Sequence, residues 1–214
     1  MKKLNKKRFL LWIIPVLLYF IFVLWYTDFK GPLTDKEINN FITIIKNRET
    51  MKNESSNKWI TFFKKDTGRQ FLMVNNIDMA DNPPHVLGAK NGATAKELMN
   101  KYMEHMYKEL FKRACHPVIF GNAVHEALDL YGIKNAKRWD HGALFRYRSR
   151  RSLMEIALNP HTKGRHRFKI AALEKTIAYP IETKLYFSDL RLLAGLIFFS
   201  LTSLFDLILF RRRD

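Results

Sequence analysis

The chain has 214 residues, a net charge of +17 and a single cysteine, Cys115. Its composition is close to that of globular proteins, which excludes a wholly disordered chain. One cysteine excludes an internal disulfide framework and a cysteine-rich metal site. The positive charge invites a nucleic-acid interpretation, but no recognised nucleic-acid-binding motif accompanies it, and we expect no nucleic-acid partner.

The first apolar segment, residues 9–26, carries no charge and has about the minimum length of a membrane-spanning helix. Trp12 and the neighbouring Trp25 and Tyr26 lie near its ends, where aromatic rings favour the membrane interface. A cleaved signal peptide is the alternative, but the apolar run is long and ends in bulky residues. The sequence therefore predicts an uncleaved transmembrane anchor over residues 1–28.

A second apolar segment, residues 192–210, precedes three arginines and predicts a transmembrane helix within residues 186–214. Asp206 is its one internal charge, about one turn from the arginines, so we expect it to reach the interface or to pair there. A functional intramembrane carboxylate is the alternative. Positive flanks favour the cytoplasmic side. Both ends are basic, which predicts cytoplasmic termini, an inner (cytoplasmic) membrane location and a periplasmic, extracytoplasmic central domain. Membrane lipids, through their anionic head groups, are then expected partners.

Residues 29–58 follow the first anchor. Thr34 and Glu37 have the spacing of a capping box, and apolar residues then recur at helical spacing. These features predict an amphipathic juxtamembrane helix. The polar stretch 51–58 predicts a linker loop.

Residues 59–185 form the predicted central domain. Thr94 and Glu97 predict a helix start by capping-box spacing, and Ser149 predicts a second one. We predict strands over residues 71–79, 117–128, 137–148 and 175–182. The order strand, helix, strand, strand, helix, strand is the ferredoxin-like βαββαβ arrangement, so the predicted fold class is α+β. One sheet face is then bare, and we expect a homodimer or a membrane-complex partner to cover it.

Several runs of residues resemble a known family. They are FLMVNNIDM, KYMEHMY, HPVIFG, WDHGALFRYRSRRSLMEIALNP and HRFKIAALEKTIAYP. Over about residues 60–182 the chain resembles ferredoxin-like domains of unknown function in the dimeric α/β-barrel superfamily. Arg148 stands where that family commonly has proline, and the two spans are additions. The superfamily includes cofactor-free monooxygenases, isomerases, haem enzymes and binding proteins, so the resemblance implies a fold and not one activity.

The candidate binding site lies where the third strand passes into the second helix. Helix starts favour anions, and arginine recognises carboxylate and phosphate, so arginines crowded here predict anion or ligand recognition. A solvated basic turn, or contact with lipid head groups, is the alternative. The candidate residues are Arg146, Arg148, Arg150 and Arg151 at the junction, with Asn75, His85 and Tyr102 elsewhere in the domain.

Two functions fit the sequence. The first is a binding or accessory subunit of a membrane protein complex, not itself catalytic. The alternative is a cofactor-free monooxygenase or isomerase acting on a lipid-soluble, quinone-like or aromatic substrate, with Asn75, His85, Tyr102 and Arg146 converging on a closed apolar pocket. The histidines form no recognised metal motif, and no nucleophile elbow or P-loop is present. We therefore expect neither a metal nor a cofactor.

Overall fold

The computed structural model describes residues 6–46, 54–162 and 164–210. The protein is α+β, with a four-stranded antiparallel sheet and a long apolar helix near each end. The chain divides into two compact units, one formed by residues 1–29 and 184–214 and the other by residues 30–183. We call them the helical hairpin and the central domain.

The elements are, in chain order, α1 (Lys6–Tyr26), α2 (Asp35–Lys46), α3 (Glu54–Lys64), β1 (Phe71–Met79), α4 (Ala95–Lys112), β2 (His116–Asn122), β3 (His141–Tyr147), α5 (Arg150–Leu158), a 3-10 turn (Pro160–Thr162), α6 (His166–Ala172), β4 (Leu173–Ile181) and α7 (Leu190–Phe210).

The helical hairpin consists of α1 and α7, both long and apolar enough by length and composition to cross a membrane. The helices run antiparallel: the Trp12 ring packs edge-on against Phe199 with centroids 6.1 Å apart. Further along, the Tyr19 hydroxyl donates to the Arg191 carbonyl at 3.1 Å. The two predicted apolar spans thus fold as one packed pair, which supports the prediction of a membrane protein.

Asp206 pairs within this hairpin. Its carboxylate accepts two hydrogen bonds from Arg8, from Nε to Oδ1 at 2.7 Å and from Nη2 to Oδ2 at 2.6 Å. The expected pairing of Asp206 is therefore made across the two helices. The terminal arginines 211–213, near which the sequence predicts that Asp206 pairs, lie outside the described residues.

The sheet of the central domain has the strand order β2-β3-β1-β4, and all neighbouring strands are antiparallel. Phe71 of β1 lies opposite Tyr147 of β3, and their rings stack with centroids 5.1 Å apart. These rings pack against Leu110 of α4 and Leu153 of α5. The helices α4 and α5 therefore cover the face of the sheet to which Phe71 and Tyr147 point.

Two further apolar clusters complete the domain. In one, Phe41 of α2 packs edge-on against Phe63 of α3 with centroids 4.4 Å apart, and Met154 of α5 joins them. In the other, Leu98 of α4 packs against Phe168 of α6. The predicted juxtamembrane helix is α2, and its apolar face is buried in the domain.

Local signals in the sequence located several elements accurately. The predicted strand 71–79 has the bounds of β1. Thr94 and Glu97 form the predicted reciprocal capping box of α4. Ser149 is the N-cap of α5, as predicted.

Three predicted boundaries were wrong. α3 begins at Glu54, inside the predicted loop 51–58, because Trp59, Phe62 and Phe63 supply an apolar face that offsets its polar start. β2 ends at Asn122 and β3 begins only at His141. The large apolar side chains between positions 123 and 133 are exposed, so apolarity there did not indicate a buried strand.

Candidate functional site

The arginine junction lies between the end of β3 and the start of α5. Phe145 and Tyr147 belong to the cluster under the helices. Because successive strand residues point to opposite faces, Arg146 points to the other face of the sheet. The Ser149 hydroxyl accepts a hydrogen bond from the Ser152 amide at 3.2 Å, which caps α5 and places Arg150 and Arg151 in its first turn.

Arg146 is fully buried, with 0% of its surface exposed. Its Nε donates to Gln70 Oε1 at 2.8 Å and its Nη1 donates to the Ala114 carbonyl at 2.7 Å. A buried guanidinium requires such acceptors, because loss of hydration is costly. Arg146 therefore joins β3 to the chain segments before β1 and before β2.

Arg150 is almost buried and faces two carboxylates. Its Nη2 lies 2.9 Å from Glu182 Oε1, and its Nε lies 3.6 Å from Asp66 Oδ1. Its guanidinium also lies over the Phe62 ring, 4.4 Å from the centroid, and donates to the Phe62 carbonyl. This arginine joins α5 to the end of α3 and to the chain just after β4.

Arg151 makes a short ion pair with Glu37. Its Nε donates to Glu37 Oε1 at 2.6 Å, and its other nitrogens reach the carbonyls of Gly31 and Pro32, both at 3.1 Å. The hydrogen bond from Arg151 is the main cause that lowers the pKa of Glu37 to about 2. Arg151 therefore holds the entry segment of the domain and the start of α2.

Arg148 is half-buried, and its Nε donates to Ser152 Oγ at 3.3 Å. Its backbone amide donates to the Cys115 thiol at 3.4 Å. Burial raises the pKa of that thiol to about 11, so it is protonated at neutral pH and a poor nucleophile.

The arginines of the junction form ion pairs that join distant segments of the domain. Arg150 and Arg151 have carboxylate partners from residues 37, 66 and 182, so an external carboxylate or phosphate would have to replace them. These partners lie up to 114 positions away along the chain. Sequence reasoning missed Glu37, Asp66 and Glu182, since no local signal relates them to the arginines.

The remaining candidate residues do not meet at the junction. Asn75 lies on the same face of β1 as Phe71 and Met73, which is the face covered by helices. Its Nδ2 donates to the Met73 carbonyl at 3.0 Å. Arg146 points to the opposite face. Asn75 and Arg146 therefore lie on opposite sides of the sheet and do not converge, whereas convergence is the arrangement that would favour the enzymatic alternative.

His85 and Tyr102 lie elsewhere. His85 is exposed in the loop between β1 and α4. Tyr102 packs with the α4–α6 cluster, its ring 6.3 Å from that of His166, and burial raises the pKa of its hydroxyl to about 12. Neither residue joins the arginine junction.

A cleft of about 550 Å³ opens beside the junction, in the size range of ligand pockets. The rings of Phe62 and Phe71 and the side chain of Pro180 supply its apolar lining. The polar and charged lining residues are Asn57, Lys58, Thr61, Lys65, Arg150 and Glu182. Of the predicted site residues only Arg150 lines this cleft.

The face of the sheet opposite α4 and α5 carries apolar side chains that are open to solvent. Opposed residues of an antiparallel pair share a face, which places Ile119, Leu144, Val74 and Tyr179 in one row across the four strands. The next row is Gly121, Gly142, Asn76 and Ile177. Ile119 is 55% exposed, Tyr179 49% and Ile177 37%. We call these eight residues the open face.

In the described part of the chain, no three His, Cys, Asp or Glu side chains are grouped so that they could hold a metal ion.

No family model matches the sequence, and none of the curated proteins does. Solved structures do resemble it. One is the crystal structure of RPA0582, a protein of unknown function from Rhodopseudomonas palustris, with a TM-score of 0.52 and 16% identity over 63% of this chain and 97% of that one. The structure of methylated RPA0582 gives a TM-score of 0.53 and 18% identity over 64% and 96% of the two chains. At these identities the similarity concerns the compact α+β fold alone.

Proposed function

We propose that this chain is a membrane-anchored binding or accessory protein whose domain pairs with a second copy of itself through the open face. In this proposal the domain is a ferredoxin-like βαββαβ unit of the dimeric α/β-barrel type. The strand order β2-β3-β1-β4, with helices following β1 and β3, supports that assignment. The apolar helices α1 and α7 support the anchor.

The shape of the open face, with glycines on one side and large side chains on the other, is the main support for the proposal. Gly121 and Gly142 lie side by side, and a Cβ added at either one would meet no atom within 4 Å. They form a shallow groove, while Ile177 and Tyr179 project from β4 on the other side of Asn76. A twofold axis that runs between the two faces, parallel to the strands, would place the ridge of one copy over the groove of the other. Such a surface is self-complementary, as a twofold interface requires.

The topology belongs to the same proposal. Basic residues flank both apolar helices on their terminal sides, which supports cytoplasmic termini in an inner membrane and an extracytoplasmic domain. Anionic lipid head groups are then neighbours of a basic domain.

Binding is favoured over catalysis by the position of the candidate residues. A monooxygenase or isomerase of this fold would use a closed apolar pocket into which polar groups converge. Asn75 and Arg146 lie on opposite faces of the sheet, and His85 is exposed. The polar set that motivated the enzymatic alternative is thus dispersed.

The test is the oligomeric state of the full chain, purified in mild detergent and measured by light scattering after size exclusion. We expect the wild type to be a dimer and Ile177→Asp/Tyr179→Asp to be a monomer, because each added carboxylate faces apolar surface or its symmetry mate. Ile170→Asp is the matched control, since Ile170 is 57% exposed on α6 and should leave the dimer intact.

A monomeric wild type would contradict the proposal, and so would a dimer that the two aspartates do not disturb. The chain could instead form a stoichiometric complex with a different membrane protein. If the same double variant abolished that complex, the partner at the open face would be that protein and not a second copy.

A further inference from the structure

The connection between β2 and β3 is an ordered ribbon. The Ala123 amide donates to the Asp140 carbonyl and the Ala127 amide donates to the Lys137 carbonyl, both at 2.8 Å. Lys137 also pairs with Glu126 at 2.9 Å. These contacts extend the β2–β3 hairpin past the end of the sheet. We call residues 123–139 the arm.

The arm presents large apolar side chains to solvent. Val124 is 99% exposed, Leu128 90% and Tyr131 95%. Single exposed apolar residues are ordinary on a protein surface, but several on one projecting segment mark an interaction surface. The arm is therefore a candidate contact element.

The base of the arm lies on the same side of the sheet as the open face. Asp78 alternates with Val74 and Asn76 along β1, so its side chain points to the helix-free side. Lys175 lies opposite Asp78 and pairs with it at 3.3 Å. The Lys175 ammonium contacts the arm through Asn135 Oδ1, at 3.4 Å, and the Trp139 ring, 5.1 Å from the centroid. The arm and the open face are thus adjacent parts of one surface.

The arm crosses the end of the sheet from one edge to the other. It leaves the edge strand β2, and its Asn135 and Trp139 contact Lys175 of the opposite edge strand β4. The arm therefore borders the open face, and a copy paired through that face would lie next to it.

The charges of the arm nearly cancel, with Glu126 and Asp129 against Lys134, Lys137 and Arg138. Lys137 is paired with Glu126 at 2.9 Å. Little net charge therefore remains to attract anionic head groups, and the exposed apolar side chains favour a protein surface.

We propose that the arm of each copy packs its apolar side chains against the second copy, so that two arms embrace the paired sheets. This inference rests on the proposed pairing through the open face. The same twofold axis applies both arms at once, so each arm covers exposed surface of the other copy.

The experiment measures thiol labelling of Leu128→Cys in the full chain in mild detergent. Cys115 is 0% exposed and gives little background. We expect maleimide to label position 128 about tenfold more slowly in the dimer than in the same chain made monomeric by Ile177→Asp/Tyr179→Asp. The variant Val124→Ser/Leu128→Ser/Tyr131→Ser should raise the dissociation constant of the dimer about tenfold or more, as loss of buried anchors does. Lys134→Ser, also exposed on the arm, is the matched control.

Equal labelling rates in a dimer and in the monomeric variant would overturn the arm contact and leave the proposed pairing standing. Slow labelling that persists in the monomer would assign the arm to the detergent or lipid surface, and would overturn it also. A monomeric wild type would remove the pairing and the arm contact together.

Discussion

Replacing Arg151 with alanine removes the ion pair with Glu37 that joins α5 to the start of α2. The Arg151 side chain is 6% exposed and that of Glu37 32%. Removing one partner of a buried pair costs about 3–5 kcal/mol. Glu37 keeps access to water, which reduces the cost, while the carbonyls of Gly31 and Pro32 lose their donors. We therefore expect Arg151→Ala to lower the free energy of unfolding by about 2–3 kcal/mol.

The same pair makes a prediction about pH. The pKa of Glu37 falls from 4.5 to about 2 in the folded chain, so its stabilising contribution is present above the unfolded pKa and is lost as pH falls from about 5 to 2. Because Glu37 is partly exposed, we expect this loss to be about 1–2 kcal/mol, less than the full shift implies. Glu37→Gln should lack that part of the pH dependence.

The assay is urea unfolding of the full chain in mild non-ionic detergent, followed by tryptophan fluorescence. Trp59 packs in the core against Phe63, with centroids 5.7 Å apart. Arg138→Ala is the matched control, because Arg138 is 61% exposed and surface pairs contribute about 0–1 kcal/mol. An Arg151→Ala effect no larger than this control, or a Glu37→Gln variant with the pH profile of the wild type, would refute the reasoning.

Three shorter predictions follow from single contacts. Gly68 has φ +72° and an added Cβ would lie 2.6 Å from backbone, whereas Gly132 has the same φ and open space around it. In the urea assay we expect Gly132→Ala to lower the free energy of unfolding by about 1 kcal/mol and Gly68→Ala to lower it clearly more. Equal losses would show that the backbone next to Gly68 moves to make room for the added Cβ. The buried Cys115 thiol, with its pKa raised to about 11, should resist maleimide at pH 8 until urea unfolds the chain, and labelling of the native protein would contradict its burial. Asp206→Asn should lower the thermal midpoint in detergent, and Arg8→Asp/Asp206→Arg should restore part of it, since the pair joins α1 to α7; no recovery would show that the pair is not a direct contact.

Elements with local signals could be predicted from the sequence. β1 is an apolar, β-prone run bounded by turn residues, α4 carries its own capping box, and Ser149 caps α5. The long apolar ends predicted the helices α1 and α7 for the same reason, since length and hydropathy are properties of the segment itself.

Features that depend on distant partners could not be predicted. The charge run from Arg146 to Arg151 suggested an exposed recognition surface. Its partners Glu37 and Glu182 come from opposite ends of the domain. Hydrophobic periodicity does not predict contacts between residues so far apart in the sequence. The sequence predicts strands over residues 123–128 and 137–139 of the arm from their apolar residues. In the structure two backbone hydrogen bonds join these stretches, but Val124 and Leu128 are exposed, because a strand of the sheet also needs a surface on which to pack.

The ion pairs of α5 depend on residues from both ends of the domain, which limits when they can form during synthesis. Arg151 binds residues from the start of the domain, while the Glu182 partner of Arg150 is translated after every strand. The ion pairs of α5 therefore cannot all form until Glu182, at the end of the domain, has been synthesised. Leu190, the first residue of α7, follows within a few positions. Completion of these ion pairs and synthesis of the second apolar helix are thus close together along the chain, and a chain truncated before residue 182 would leave Arg150 without that carboxylate.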